Sequence, residues 1–131
     1  MRAFLLIILL GFLIGCQSTQ AHAYEDFPHI DHWDAVNEMN DPLTILYFYS
    51  PTCQVCISIE EPVLSLVYEL QPHVTIYLVH SGQIFEQGTP PVENESVPSL
   101  IILENGEFKE LIRGSNHVVD YLENQRNRLV N

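Results

Sequence analysis

The apolar positions of this chain change their period several times, and each change marks an element. Leu43, Ile45, Leu46, Tyr47, Phe48 and Tyr49 make a run rich in strand formers, long enough for one buried strand. After the polar break Ser50-Pro51-Thr52 the spacing lengthens. Ile59, Val63, Leu66, Val67 and Leu70 recur at i, i+4, i+7, i+8 and i+11, the face of a helix. Pro62 lies inside that helix and predicts a bend, because proline removes one backbone bond; Pro72 ends it. Val74 to Val79 is a second uninterrupted run, suited to a strand covered on both faces. From Ser81 to Ser96 the pattern fails among Gly82, Gly88, Pro90, Pro91, Glu86, Glu93 and Glu95, which predicts a crossover loop with a helix reduced to one or two turns.

Val97-Pro98 opens a third strand, Ser99 to Leu103, with the proline placed where it breaks no ladder bond. Asn105-Gly106 is a two-residue hairpin signal leading into Phe108 to Arg113. Gly114 closes that strand, and Ser115 is expected to cap a last helix that turns Val118, Tyr121, Leu122 and Leu129 toward the sheet. Upstream, Asp31 to Met39 predicts a short helix with Asp31 as N-cap, Asp34 in the first turn and Trp33, Val36 and Met39 on its apolar side. Gln17 to Ile30 shows no clear period and reads as a tether. The expected order is helix, strand, helix, strand, loop, strand, strand, helix. That is an α/β fold with a mixed sheet of about four strands flanked by helices, its strand–helix–strand unit parallel and its closing hairpin antiparallel.

The chemistry sits where the first strand hands over to the first long helix, at Cys53-Gln54-Val55-Cys56. Cys53 falls at the helix start, where free N–H groups and the positive end of the dipole favour an anion. That placement lowers a thiol pKa, and the thiolate is the reactive species. Cys56 is one turn deeper, close enough to attack a mixed disulfide on Cys53. Two cysteines at this spacing suit a redox pair, a structural disulfide or half of a metal site. Zinc asks for more protein ligands than these two, and no histidine lies near them in sequence. The redox reading is therefore preferred.

Strand, C-x-x-C, amphipathic helix and then Val97-Pro98 ahead of a hairpin and a last helix resembles the thioredoxin-like thiol–disulfide oxidoreductases, over roughly Asp31 to Leu129. The resemblance implies a cis Val97–Pro98 bond facing the cysteines. It also implies a substrate groove formed by Val97, Pro98, Pro51 and Thr52, with the backbone of Val97 pairing to a substrate segment. Cys53 would attack, Cys56 would resolve, partners would be protein thiols and disulfides, and no cofactor or metal would be needed beyond the cysteine pair. Two departures stand out. Relatives hold a buried acid where this chain has Tyr47, and their helix proline lies one residue closer to the second cysteine than Pro62. Gln54-Val55 lacks the histidine of strongly oxidising relatives, which leans the expectation toward a reductase.

Targeting signals set the compartment. Arg2 precedes an apolar block from Ala3 to Ile14, too short to span a membrane but suited to a secretory leader. Leu13-Ile14-Gly15-Cys16 is similar to the lipobox of bacterial lipoproteins, which would make Cys16 the lipidated first residue. Ala21-His22-Ala23 offers a second cleavage site that would release a soluble protein. The lipobox is preferred, giving a leader over 1–15, a lipidated tether over 16–30 and the domain over 31–131, facing the periplasm or cell exterior, where disulfide chemistry is meaningful. The roughly 115 residues left suffice for one core. The chain has 5 basic and 17 acidic side chains, a net charge of −12, and loss of Arg2 makes it more acidic. Nucleic acid is therefore excluded as a partner, since phosphate binding needs clustered Lys and Arg, and membrane attachment must come from acyl chains. His29 and His32 have a ligand-like spacing but are expected to be solvated on the tether. The competing class is an anchored binding or assembly module with Cys53–Cys56 as a structural disulfide.

Overall fold

All six side chains of β1 (Thr44–Tyr49) are buried, and they alternate between two cores. Ile45, Tyr47 and Tyr49 face one side, Leu46 and Phe48 the other. This is why the run carries no polar alternation. In the computed structural model, which describes residues 21–131, β1 is followed by α1 (Gln54–Leu70), β2 (Thr75–His80), β3 (Ser99–Glu104), β4 (Glu107–Arg113) and α2 (Ser115–Leu129). The sheet order is β2-β1-β3-β4, with β1 parallel to β2 and antiparallel to β3, and β4 antiparallel to β3. This is the expected mixed four-stranded α/β sheet.

Helices α1 and α2 cover the first face through Ile59, Val63, Leu64, Val67, Val118 and Leu122, against Ile45, Leu78, Leu100 and Ile102. α1 runs without interruption through Pro62. α2 begins one residue earlier in its capping than expected. Gly114 takes the N-cap position at φ 94°, which a residue without Cβ tolerates, and no side chain caps the helix. In the hairpin, Asn105 (φ 50°) and Gly106 (φ 81°) have the two positive φ values of a type I′ turn. A Cβ on Gly106 would come within 2.1 Å of the Met39 carbonyl oxygen, so glycine is required twice over. β4 is an exposed edge carrying Glu107, Lys109, Glu110 and Arg113, charges that discourage further strand pairing.

The second face is covered without any α-helix among the described residues. Two pieces of irregular chain do the work, and both correct the sequence reading. The stretch taken as tether up to Ile30 packs from Tyr24 onward, with Tyr24, Phe27 and Ile30 all buried. It forms a 3₁₀ turn at Tyr24–Asp26 on the α1 face. It then passes the outer edge of β2, where Ile30 N–H donates to Leu78 O (3.0 Å) and Leu78 N–H to Pro28 O (2.9 Å). It continues on the far face as a 3₁₀ helix at Trp33–Glu38. The apolar positions Tyr24, Phe27, Ile30, Trp33, Val36 and Met39 recur every third residue, the period of a 3₁₀ turn; the last three are the apolar side expected of the short helix at Asp31–Met39, and the first three lie in the stretch taken as tether. The N-cap is His32, whose Nδ1 accepts the Ala35 N–H at 3.2 Å, in place of the expected Asp31.

The crossover from β2 to β3 is the second piece. It has no helix among its described residues, only a single turn in which Ile84 N–H donates to His80 O (3.0 Å), the low end of the reduced helix expected. Topology removes the need for one. His80 lies beside Tyr49 and Ser99 lies opposite Phe48, so the chain leaves and re-enters the sheet at the same end and only has to cross β1. The loop is fixed to the strap instead: Phe85 N–H donates to Asp31 O (2.8 Å) and Trp33 N–H to Gln87 O (2.9 Å). Cys16, the apolar leader and the first of the two cleavage signals lie outside the described residues.

Candidate active site at the start of the first helix

β1 delivers the chain to the carboxyl end of the sheet, the usual place for sites in open α/β folds. Ser50, Pro51 and Thr52 turn it back, with Cys53 N–H donating to Ser50 O (3.2 Å) and the Ser50 and Thr52 hydroxyls paired at 3.1 Å. Cys53 then takes the N-cap of α1. Its Sγ accepts the Cys56 N–H at 3.2 Å, a role usually filled by a serine or aspartate oxygen. Cys56, in the first turn, is fully buried, while Cys53 is partly exposed. Both are free thiols.

The two thiols are driven apart in acidity. Burial opposes ionisation of Cys53, but hydrogen bonds from the Cys56 side chain and from the backbone of Cys56 and Val55 outweigh it and hold Cys53 below the ordinary thiol value. Burial pushes Cys56 up to about 11, reinforced by its thiol hydrogen bond to Cys53. Cys53 is thus the accessible, activated thiol and Cys56 the protected, protonated one. No Asp or Glu occurs between Leu43 and Ile59, so the strand, the turn and the first helical turn place no carboxylate beside Cys53. Exposed side chains there include Pro51, Thr52, Val55 and Ile57.

The other expected site residues also converge. The Val97–Pro98 bond is cis, Pro98 is buried, and the Val97 carbonyl lies 3.8 Å from Cys53 Sγ, within reach of its S–H. The sequence reading missed what holds this loop. Asn94 donates to Ser99 Oγ (2.7 Å) and to Ser96 O (3.2 Å), and its Oδ1 accepts the Ser96 N–H (3.1 Å). Ser99 Oγ donates to Ser96 O (2.8 Å), and Gly114 N–H to Pro98 O (3.1 Å). An Asn-x-Ser stretch before a proline is the local turn-forming signal that could have been read.

Beneath the cysteines lies a tyrosine stack that the sequence reading also missed. Tyr24 stacks on Tyr49 with centroids 3.9 Å apart and planes at 10°, and Tyr47 lies 5.8 Å from Tyr49 with planes at 17°. Tyr49 has a partner at the surface, His29 Nε2, at 2.7 Å. The Tyr24 and Tyr47 hydroxyls are buried and have no partner. Burial raises all three phenols, Tyr49 to about 12 and Tyr24 and Tyr47 further. His29 is therefore docked, not loose on a tether, while His32 is a helix cap, so the two do not form a joint site. His80 accepts the Gly82 N–H (3.0 Å) and meets Tyr49 edge-on. Among the described residues no three His, Cys, Asp or Glu side chains converge as metal ligands would.

No protein-family model matches this chain, and no curated protein sequence does either. Solved structures do. Mitochondrial thioredoxin 3 of Saccharomyces cerevisiae, in its oxidised form, matches with a TM-score of 0.60 at 16% identity, over 81% of this chain and 98% of that one. The thioredoxin of Malassezia sympodialis gives 0.62 at 15% identity, over 86% and 94%. The germline-specific thioredoxin Deadhead of Drosophila melanogaster gives 0.55 at 23% identity, over 73% and 86%. At these identities the likeness establishes a thioredoxin-like fold.

Proposed function

We propose that this protein is a thiol–disulfide oxidoreductase acting on protein substrates of the cell envelope. The observation that carries the reading is the asymmetry of the pair: Cys53 is partly exposed, hydrogen-bonded at a helix start and beside Val97, and Cys56 is buried. A purely structural disulfide would not need one sulfur left accessible. In the reducing direction the Cys53 thiolate attacks a substrate disulfide, forms the mixed disulfide and releases one substrate thiolate. Cys56, deprotonated, then attacks Cys53 Sγ. The Cys53–substrate bond breaks, the second substrate thiolate leaves with the electron pair, and the cysteine pair is oxidised by two electrons. The reverse sequence oxidises a substrate dithiol.

Substrate binding follows from the same geometry. The backbone at Val97 offers an edge for an extended segment, Pro98 sets its position, and Pro51 and Thr52 wall the opposite side of Cys53. The pair itself is the redox group, with no further cofactor. The neutral Gln54-Val55 leaves Cys53 activated only by hydrogen bonds, which supports a reductase lean. Placement at the membrane through a lipid on Cys16 is part of the proposal; no helix among the described residues is long and apolar enough to cross a membrane. Support comes from the alternative cleavage site. Ala23 N–H donates to Asp26 Oδ2 (2.8 Å), and Ala23 O accepts the Asp26 N–H (3.1 Å). Cleavage after Ala23 would remove both bonds from the turn that holds Tyr24.

The test is trapping. Cys56→Ser should accumulate substrates covalently on Cys53, released by a reductant, and Cys53→Ser should accumulate none. Equal labelling in both variants, or none in either, would sink the assignment.

A further inference from the structure

The domain carries its charges unevenly, and the sheet order shows where each one stands. β1 and β2 end on the Cys53 side of the sheet, β3 starts there at Ser99, and β4 returns there at Arg113, which pairs with Ser99. Helix α2 then runs away from that end. Arg126 and Arg128 in its last turn therefore stand at the opposite end, where Arg126 meets Glu69 near the close of α1. Lys109 follows the Asn105-Gly106 turn at the same far end and pairs with Glu104. Arg113 is thus the one Lys or Arg at the Cys53 end among the described residues, and its Nε donates to Asn94 Oδ1 at 3.5 Å.

Carboxylates outnumber it there. Asn94 turns its amide inward, to the Ser96 N–H, Ser96 O and Ser99 Oγ, and its neighbours Glu93 and Glu95 are exposed. Both belong to the loop that brings the Val97 carbonyl to 3.8 Å from Cys53 Sγ. An extended residue spans about 3.3–3.6 Å, so the backbone of Glu95 lies within about 7 Å of Val97. On α1, Glu60 and Glu61 stand about one turn beyond Cys56 and Ile57, Glu60 partly exposed and Glu61 exposed. Pro51, Thr52, Gln54 and Val55, next to Cys53 in the chain, carry no charge. Nothing beside the sulfur therefore opposes the field of these acids where a substrate approaches.

Resting on the thiol–disulfide reading above, we propose that the site selects disulfides carrying Lys or Arg close to the cysteine that Cys53 attacks, with Glu93 and Glu95 setting the preference. A substrate segment laid along Val97 runs past Glu95 within two residues. A basic side chain on that segment meets a carboxylate there, and an acidic one meets repulsion, which rejects the wrong partner as well as favouring the right one. Anionic disulfides such as oxidised glutathione are disfavoured by the same charges. The exchange at sulfur is unaltered: the acids act on approach and docking, and no proton or electron passes through them. In water, two unit charges about 7–8 Å apart change a rate about twofold in either direction. Two carboxylates acting on a cation and on an anion therefore separate the two by about tenfold at low salt.

Three small disulfides provide the test: cystamine, bis(2-hydroxyethyl) disulfide and dithiodipropionate, which are cationic, neutral and anionic. Each is mixed with the reduced protein, and acid quench followed by alkylation reads the loss of the Cys53 and Cys56 thiols. Each rate is divided by that of dithiothreitol with the same disulfide, which removes differences between the leaving thiols. The corrected ratio of cystamine to dithiodipropionate should be about tenfold in about 10 mM salt and fall toward one in about 0.5 M salt. Glu93→Gln/Glu95→Gln should cut the low-salt ratio by about threefold or more. Glu104→Gln/Glu107→Gln removes as much charge at the far hairpin and should leave the ratio in place. A wild-type ratio near one at low salt, or an equal fall in both double variants, would overturn the proposal. If the neutral disulfide oxidises the wild type no faster than Cys53→Ser, the thiol–disulfide reading itself fails; if it does so faster while the ratio stays near one, only the charge selection fails.

Discussion

Replacing Phe27 with alanine tests whether the strap is part of the domain. Phe27 is 5% exposed and lies in the same core as Tyr24, Tyr49 and Val63. Truncating a buried phenylalanine loses its transfer free energy and leaves a cavity, about 3–5 kcal/mol together. The strap is held to β2 by two backbone bonds, so it can close part of the cavity, and about 3 kcal/mol is expected. Against a total stability of about 5–15 kcal/mol this is a large loss. At roughly 4 °C per kcal/mol for a domain of this size, melting of the reduced protein should fall by about 12 °C. Circular dichroism melts and urea titrations of both proteins provide the measurement. A residue on a solvated tether would change stability by less than about 0.5 kcal/mol. A Phe27→Ala protein melting within about 2 °C of the wild type would refute the packed strap, and with it the delivery of Tyr24 and His29 to the site.

Three further outcomes follow from the site. In Cys56→Ser, iodoacetamide reactivity of Cys53 against pH should show a midpoint below the free-thiol value of about 8.5, and a midpoint at or above that value would contradict its activation. Cys56, raised to about 11 by burial, binds its proton more tightly folded than unfolded; the reduced protein should therefore lose stability as pH rises from about 9 through about 11. Urea titrations at several pH values should show that loss diminished in Cys56→Ala, and an equal slope in both would assign it to other groups. Asn94→Ala removes the brace on the Val97 loop and should cost about 1–2 kcal/mol, with less substrate captured in the Cys56→Ser background; unchanged capture would detach the loop from substrate binding.

The hydrophobic pattern contained the sheet because each strand carries its own signal. β1 and β2 are apolar runs buried on both sides, and β3 and β4 flank an Asn-Gly turn whose two positive φ values leave little choice. The cysteine site was legible for a similar reason: the strand end, polar break and helix start are all local, and they fix where Cys53 and Cys56 stand. The second half of the strap was legible as a short helix, but its course up to Ile30 was not, because the apolar residues there recur at three, a period shared by no long regular element, and because the strap's bonds go to Leu78, Phe85 and Gln87, far along the chain. The crossover, expected as a loop with a helix of one or two turns, keeps only the turn at His80–Ile84, and topology is the reason. The need for a helix disappears once β3 is antiparallel to β1 and starts at the end where β2 stops.

The strap and Tyr47 bear on the chemistry together. A strap crossing from one face of the sheet to the other brings Tyr24 beneath α1, where it stacks on Tyr49. An acid at Tyr47 would then have been enclosed by aromatic rings, and an isolated carboxylate in such surroundings is held neutral by desolvation. A phenol fits the same space at less cost, since it buries a neutral group. Glu60, on α1, is partly exposed and keeps its charge near water. Tyr47 and the strap that carries Tyr24 are on this view one structural solution, so Tyr47→Asp alone should not raise the rate at which Cys56 resolves. A Tyr47→Asp protein that folds and resolves faster than the wild type would show the two to be independent.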